Sequence, residues 1–262
     1  MRRIRLDIEY DGTRYAGWQR QSNALAVQQC LEEALCALTG ERAVITGASR
    51  TDAGVHALKQ VAHCDVVSPI PDDKLFLALN TKLAPDIRVK RSMLVAPDFH
   101  ARFHCVQKAY CYQIHNAQVA SALGRQRSFH VPRALDIDVM QRALAAMVGT
   151  HDFAAFQAAG ANPVKSTVRT VFDACLQKRN DNIFIWILGN GFLYNMVRIL
   201  AGTLCYVGQG MLSENGIENA LATRSRPDLG PTAPPQGLTL LGAFYQGEEG
   251  QARGMMGRAP WE

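Results

Sequence analysis

The chain has 262 residues, 48% of them hydrophobic and 19% charged, enough for one large domain or two of ordinary size around a real core. No uninterrupted apolar run approaches the roughly 20 residues of a membrane span. A net charge of +5 admits a nucleic-acid partner without requiring one, and seven cysteines with no Cys-x-x-Cys pair point to reduced thiols in a cytoplasmic setting, not to disulfides or zinc.

Met1-Arg2-Arg3-Ile4-Arg5-Leu6-Asp7 has charges with no apolar stretch behind them, so it reads as a strand and not as a secretory leader. Ile4, Leu6, Ile8 and Tyr10 alternate with polar residues, the period of a half-buried strand, and Asp11-Gly12 ends it. Thr13 to Gln21 has neither period and mixes aromatics, cations and amides, a composition suited either to RNA contact or, through Trp18, to anchoring a loop to the core. Val27, Leu31, Ala34, Leu35 and Leu38 recur at helical spacing, with Gln28, Glu32 and Glu33 on the polar face and Gly40 as C-cap. A short strand over Ala43 to Ile45, a strand over Gln60 to Val66, a helix from Pro71 through Leu79 and a strand over Ile87 to Val95 follow. The order over residues 3–95 is β-α-β-β-α-β, that of a ferredoxin-like unit.

Phe99-His100-Ala101-Arg102-Phe103-His104 is an aromatic and basic connector, after which the pattern restarts. Lys108 to His115 alternates, with Tyr110, Tyr112 and Ile114 on one face. Asp138 caps a helix that ends at Gly149, Arg169 to Gln177 and Ile183 to Leu188 form a hairpin, and a helix runs through Met196, Val197, Leu200 and Leu204. A shorter helix from Ser213 and a last strand over Leu238 to Tyr245 complete a second β-α-β-β-α-β order, with inserted loops at 116–135 and 150–167. The expected fold is therefore α+β, with an N-terminal half over 1–98, a C-terminal half over 99–246 and a flexible, Gly-rich tail over 247–262.

Chemistry is concentrated at Gly47-Ala48-Ser49-Arg50-Thr51-Asp52-Ala53-Gly54-Val55-His56, where small residues let a ligand approach a carboxylate closely. Locally this is either a polar hairpin connection with a weak surface pair or a site, and its own residues do not separate the two. His100 and His104 are an i, i+4 pair without the glutamate of a His-Glu-x-x-His site, and the loop lacks the Gly-Lys-Ser/Thr ending of a phosphate-binding loop. No Gly-x-Ser-x-Gly elbow occurs. What remains is Asp52, as nucleophile, general base or cap, with Arg50 as its nearest opposite charge in sequence.

Arg50-Thr51-Asp52-Ala53-Gly54-Val55-His56 resembles the catalytic motif of the tRNA pseudouridine synthase A family. Glu9 to Gly12 with Gly17 to Gln21 is similar to that family's opening motif, and Asp98 to Phe103 to its second. Phe192 to Arg198 and Gly230 to Leu238 resemble its two C-terminal ones, so the likeness runs in order over about residues 3–245. It implies two ferredoxin-like halves sharing one continuous, mainly antiparallel sheet with a central cleft, in a cytoplasmic homodimer that binds the tRNA anticodon stem-loop. The implied activity, without cofactor or metal, is isomerisation of uridines 38, 39 and 40 to pseudouridine.

The same likeness makes Asp52 the nucleophile, Arg50 the residue that assists base flipping, Tyr110 the ring that stacks on the uracil, Arg198 the cation paired with the aspartate, and Leu240 an apolar wall from the C-terminal half. It gives Phe99, His100, Ala101, Arg102, Phe103 and Lys165 to tRNA contact, and it lacks the basic contact some relatives carry after Val66, where Ser68-Pro69-Ile70-Pro71 stands. A non-catalytic pair of RNA-recognition-like domains is the alternative; it has no need of an Arg-x-Asp between glycines and shows no RNP-type aromatics. A metal-dependent nuclease would need a second acidic cluster.

Overall fold

The alternating N-terminal run forms β1 (Arg2–Tyr10), with Ile4, Leu6, Ile8 and Tyr10 buried. The computed structural model describes residues 1–160 and 163–261. After β1 come α1 (Val27–Thr39), β2 (Thr46–Gly47), β3 (His56–Val66), α2 (Leu75–Asn80) and β4 (Ile87–Leu94). The next elements are β5 (Gln107–His115), β6 (Phe129–His130), α3 (Ile137–Ala145), β7 (Gly149–Asp152), β8 (Val168–Arg179) and β9 (Asn182–Gly189). The chain ends with α4 (Met196–Gly208), α5 (Gly216–Thr223), β10 (Leu238–Phe244) and α6 (Glu249–Met255). The class is α+β, as expected. Among the described residues no helix is long and apolar enough to cross a membrane.

The chain forms two compact units, Met1–Val106 with Thr239–Glu249, and Gln107–Leu238 with Gly250–Glu262. In the first, the strand order is β4-β1-β3-β10, with β2 paired to β3. β1 is antiparallel to both neighbours, so that Leu6 stands opposite Ala62 on one side and Ser92 on the other. β10, expected as the last strand of the C-terminal half, lies parallel to β3, with Thr239 beside His56 and Leu240 beside Ala57. From Thr239 on, its residues cluster with the first unit because strand pairing follows hydrogen bonding across space and not order along the chain.

α1 buries Val27, Leu31 and Leu35 completely, each worth about 1.5–3 kcal/mol relative to exposure. It ends at Gly40, whose φ of 75° is the left-handed C-cap that glycine adopts without a Cβ penalty. Its start has no side-chain cap; the Gly17 and Trp18 carbonyls accept the Val27 and Gln28 N–H groups instead, at 3.1 and 3.0 Å. Gln28, expected on the polar face, is buried. Its Oε1 accepts from Gln19 Nε2 and from the Arg20 N–H, both at 2.9 Å, and its Nε2 donates to the Ile45 carbonyl at 3.0 Å. The amide is tolerated inside because its donor and acceptor are both used.

In the second unit the order is β5-β9-β8-β7, with β6 on β5. The β8–β9 hairpin appears as expected, and Asn180 takes φ 52° in its turn. α3 is capped by Asp136, not Asp138: the Asp136 Oδ1 accepts from the Asp138 and Val139 N–H groups, each at 3.1 Å. β7 lies at the start of what reads as an inserted loop, too short to show a period; residues 161 and 162 of that loop lie outside the described residues. The 247–262 segment carries α6, and beyond it Trp186 Nε1 donates to the Arg258 carbonyl at 2.8 Å while Arg179 Nη2 donates to the Gly257 carbonyl at 2.5 Å. Glu262 lies outside the described residues.

Candidate active site

The loop of residues 47–56 leaves β2 and returns into β3, and the opening motif holds it in shape. The Trp18 N–H donates to the Thr51 carbonyl at 3.1 Å, and the Gly54 N–H to the Tyr15 carbonyl at 3.2 Å. The buried hydroxyls of Tyr10 and Thr51 are 2.8 Å apart, and the Gly12 N–H donates to His56 Nδ1 at 3.1 Å. Gly17 has to be glycine here: its φ is 89°, and a Cβ would stand 2.4 Å from the Thr51 carbonyl oxygen. Of the two readings open to Trp18, the structure takes the core anchor: it is 2% exposed and packs against Tyr10 at 6.2 Å between ring centroids.

On the other side, Ser49 and Gln60 bond reciprocally. The Ser49 N–H donates to Gln60 Oε1 at 3.2 Å, and Gln60 Nε2 donates to the Ser49 carbonyl at 2.7 Å. Gln60 is fully buried, so these two bonds take the place of water for a side chain that has none. The Val55 N–H closes a turn on the Asp52 carbonyl at 3.2 Å. Between these fixed points Asp52 is half-buried and Arg50 exposed. A half-buried carboxylate on a short, braced turn loses little freedom when a ligand arrives, the requirement of a positioned nucleophile.

The connector 99–104 is a compact turn built on neutral imidazoles. The Ala101 N–H donates to His63 Nδ1 at 3.1 Å, and His100 Nδ1 accepts from Arg102 and Phe103 N–H groups, both at 3.2 Å. Burial, then the nearby His100 and Arg3, pull the His63 pKa down to about 4, against the opposing charge of Asp65. Ala101 is fully buried and its carbonyl accepts from the Tyr245 hydroxyl at 2.7 Å, while Phe99 packs on Tyr245 at 5.0 Å. Of the expected RNA-contacting residues, Ala101 and Phe99 thus support the turn from within. Arg102 and Phe103 are displayed on its surface, Phe103 73% exposed with the Arg102 guanidinium 5.7 Å from its ring centroid.

In the second unit, Tyr110 lies on β5 beside Ile187, 6% exposed, with Phe192 edge-on at 5.2 Å. Arg198 is on the first turn of α4. Its Nε donates to the Ala233 carbonyl and its Nη1 to Asn195 Oδ1, both at 2.8 Å, and the Ala233 N–H donates back to the Arg198 carbonyl at 3.0 Å. The segment 230–236 lies so close to α4 that a Cβ on Gly202 would stand 1.8 Å from the Pro231 carbonyl oxygen. The Tyr112 hydroxyl donates to the Pro234 carbonyl at 2.7 Å, fixing the same segment from β5. Beside it is a cavity of about 190 Å³ lined by Val131, Cys205, Tyr206, Pro231 and Ala233, among others.

Leu240 is fully buried on β10 and clusters with the first unit. Lys165 is exposed. Sequence reasoning missed Gln28, Gln60 and His63 as supports of the loop and the turn. Their signal is faint: a polar residue inside an apolar pattern reads as an outward face until its partner is known.

The chain matches a family profile described as tRNA pseudouridine synthase over residues 8–104 and 143–246. Arg50, Asp52, Arg198 and Leu240 fall inside the matched residues, and Tyr110 in the interval between them. It is 48% identical over 245 residues to the tRNA pseudouridine synthase A of Acetivibrio thermocellus, covering 94% of this chain and 100% of that protein. It is 50% identical over 246 residues to that of Ruminiclostridium cellulolyticum, at the same coverage, and 46% identical over 245 residues to that of a Thermoanaerobacter species. With the Arg50–Asp52 loop in place and the likeness spanning the relatives' whole length, the chain belongs to the tRNA pseudouridine synthase family.

Proposed function

We propose that this tRNA pseudouridine synthase isomerises uridines 38, 39 and 40 of the anticodon stem-loop, with Asp52 as the nucleophile on a flipped-out base. The observation that carries the reading is the half-buried Asp52, set on a turn braced by the opening motif on one side and by Gln60 on the other. In the reaction the bond from the ribose C1′ to N1 breaks and one to C5 forms. The C5 proton is lost to solvent and N1 takes up a proton, so atoms and charge balance with no cofactor. A carboxylate that holds one fragment covalently keeps it in place while the base turns.

A stacked base has to leave its helix at a cost of about a few kcal/mol. Exposed Arg50 is the group offered to the space it vacates. Tyr110 supplies a ring for the uracil and Arg198 a cation that keeps the catalytic carboxylate ionised, which a neighbouring positive charge favours. Leu240 serves as apolar packing behind the base, and Lys165, Arg102 and Phe103 as tRNA contacts by charge and stacking. The N-terminal half over 1–98 and the C-terminal half over 99–246 are each read as ferredoxin-like, and the active form as a cytoplasmic homodimer.

The test is tritium release from tRNA labelled at C5 of uridine, with neither metal nor nucleotide added. Wild-type protein should release tritium, and Asp52→Ala should release none while binding tRNA within a few-fold. Undiminished turnover by Asp52→Ala would remove the nucleophile assignment. Metal-dependent cleavage of the tRNA strand without tritium release would favour the nuclease reading, and tRNA binding with neither cleavage nor release the RNA-binding one.

A further inference from the structure

We infer that Asn195 is a positioning residue, whose side chain and left-handed backbone together set the plane of the Arg198 guanidinium. Among the described residues three non-glycine positions have positive φ: Asn180, Asn195 and Arg224. Asn180 sits in a hairpin turn and Arg224 at a helix C-cap, places where this conformation is ordinary. Asn195 is different. It is the N-cap of α4, at φ 61° and ψ 6°, where a cap normally has an extended backbone.

An asparagine at an N-cap ordinarily accepts from the backbone N–H two or three residues on. Here the side chain makes no such bond. It bypasses the backbone of the third helical residue, Arg198, and accepts from that residue's Nη1 at 2.8 Å. The helix starts regardless, through the Ile199 N–H to the Asn195 carbonyl at 2.9 Å. The capping group has therefore been redirected from the helix to the arginine. Because Nε is held by the Ala233 carbonyl, a second contact through Nη1 fixes the rotation of the whole planar fork. An arginine held through both Nε and Nη1 presents its charge in one direction, which a flexible one cannot do.

The inference rests on the reading of Arg198 as the cation that serves the catalytic carboxylate. Glycine separates positioning from folding, since it adopts the left-handed conformation without strain yet has no acceptor. Asn195→Gly should keep the wild-type Tm within a few degrees and KM within twofold while kcat for tritium release falls about tenfold or more. Asn195→Asp, which keeps an acceptor oxygen, should recover kcat to within a few-fold. Asn195→Ala, with neither the acceptor nor the easy backbone, should lose both kcat and Tm. The inference is overturned if Asn195→Gly turns over within twofold of wild type while Arg198→Ala is inactive. It is also overturned if kcat simply follows Tm across the three variants. Full activity in Arg198→Ala would instead remove the role given to Arg198, and the purpose of Asn195 with it.

Discussion

Replacing His63 by asparagine should flatten the dependence of stability on pH. His63 is buried, its Nδ1 accepts the Ala101 N–H, and its pKa is pulled down to about 4, so the folded protein holds this imidazole neutral. An unfolded chain binds the proton near pH 6.5. Between those values the unfolded state carries more protons than the folded one, and stability falls as pH falls. The contribution is fully present above about pH 6.5 and is lost progressively towards pH 4.

At about 1.4 kcal/mol per pH unit, the span from 6.5 to about 4 corresponds to about 3.5 kcal/mol at most. Asparagine can still accept the Ala101 N–H but does not titrate. Urea unfolding at pH 7.5, 6.5, 5.5 and 4.5 would measure the difference. From pH 7.5 to pH 4.5 the wild type should lose about 2–3 kcal/mol more than His63→Asn. Curves that run parallel over this range would show that His63 is not held neutral, and would refute the account of the 99–104 turn.

Three further outcomes follow from the same geometry. Gly17→Ala meets both a left-handed φ and the Thr51 carbonyl, so it should destabilise by about 2 kcal/mol or more and depress tritium release, as thermal unfolding and kinetics would show. Removing the residues after Gln246 takes away the Arg258 carbonyl from Trp186; the truncated chain should keep activity, lose Tm and show red-shifted tryptophan emission. Arg102→Ala should raise the Kd for tRNA and lower the salt slope of binding by about 1, leaving turnover at saturating tRNA unchanged within twofold.

Much of the fold was legible from local pattern. The alternation of β1 and the helical spacing of α1 with its Gly40 cap are properties of adjacent residues, since period and capping are decided within a few positions. The Arg50–Asp52 loop was visible for a similar reason: small residues around one carboxylate form a contiguous signal. Asp136 as the cap of α3 was missed by two residues, because two aspartates near a helix start offer the same oxygen and only the backbone turn selects one.

Other features depended on partners remote in sequence. Gln28 looks like a surface residue until Gln19, Arg20 and Ile45 surround it, and Gln60 until Ser49 does. The parallel pairing of β10 with β3 joins residues more than 180 positions apart, for which no local period exists. The sequence by itself determined the periodic elements, the family and the identity of the candidate nucleophile, since these reside in residue types and their spacing. Only the tertiary structure decided which polar groups are buried, which strand completes the first unit, and that the Asn195 side chain bonds the Arg198 guanidinium and not the helix backbone. Those depend on where hydrogen-bonding partners meet in space.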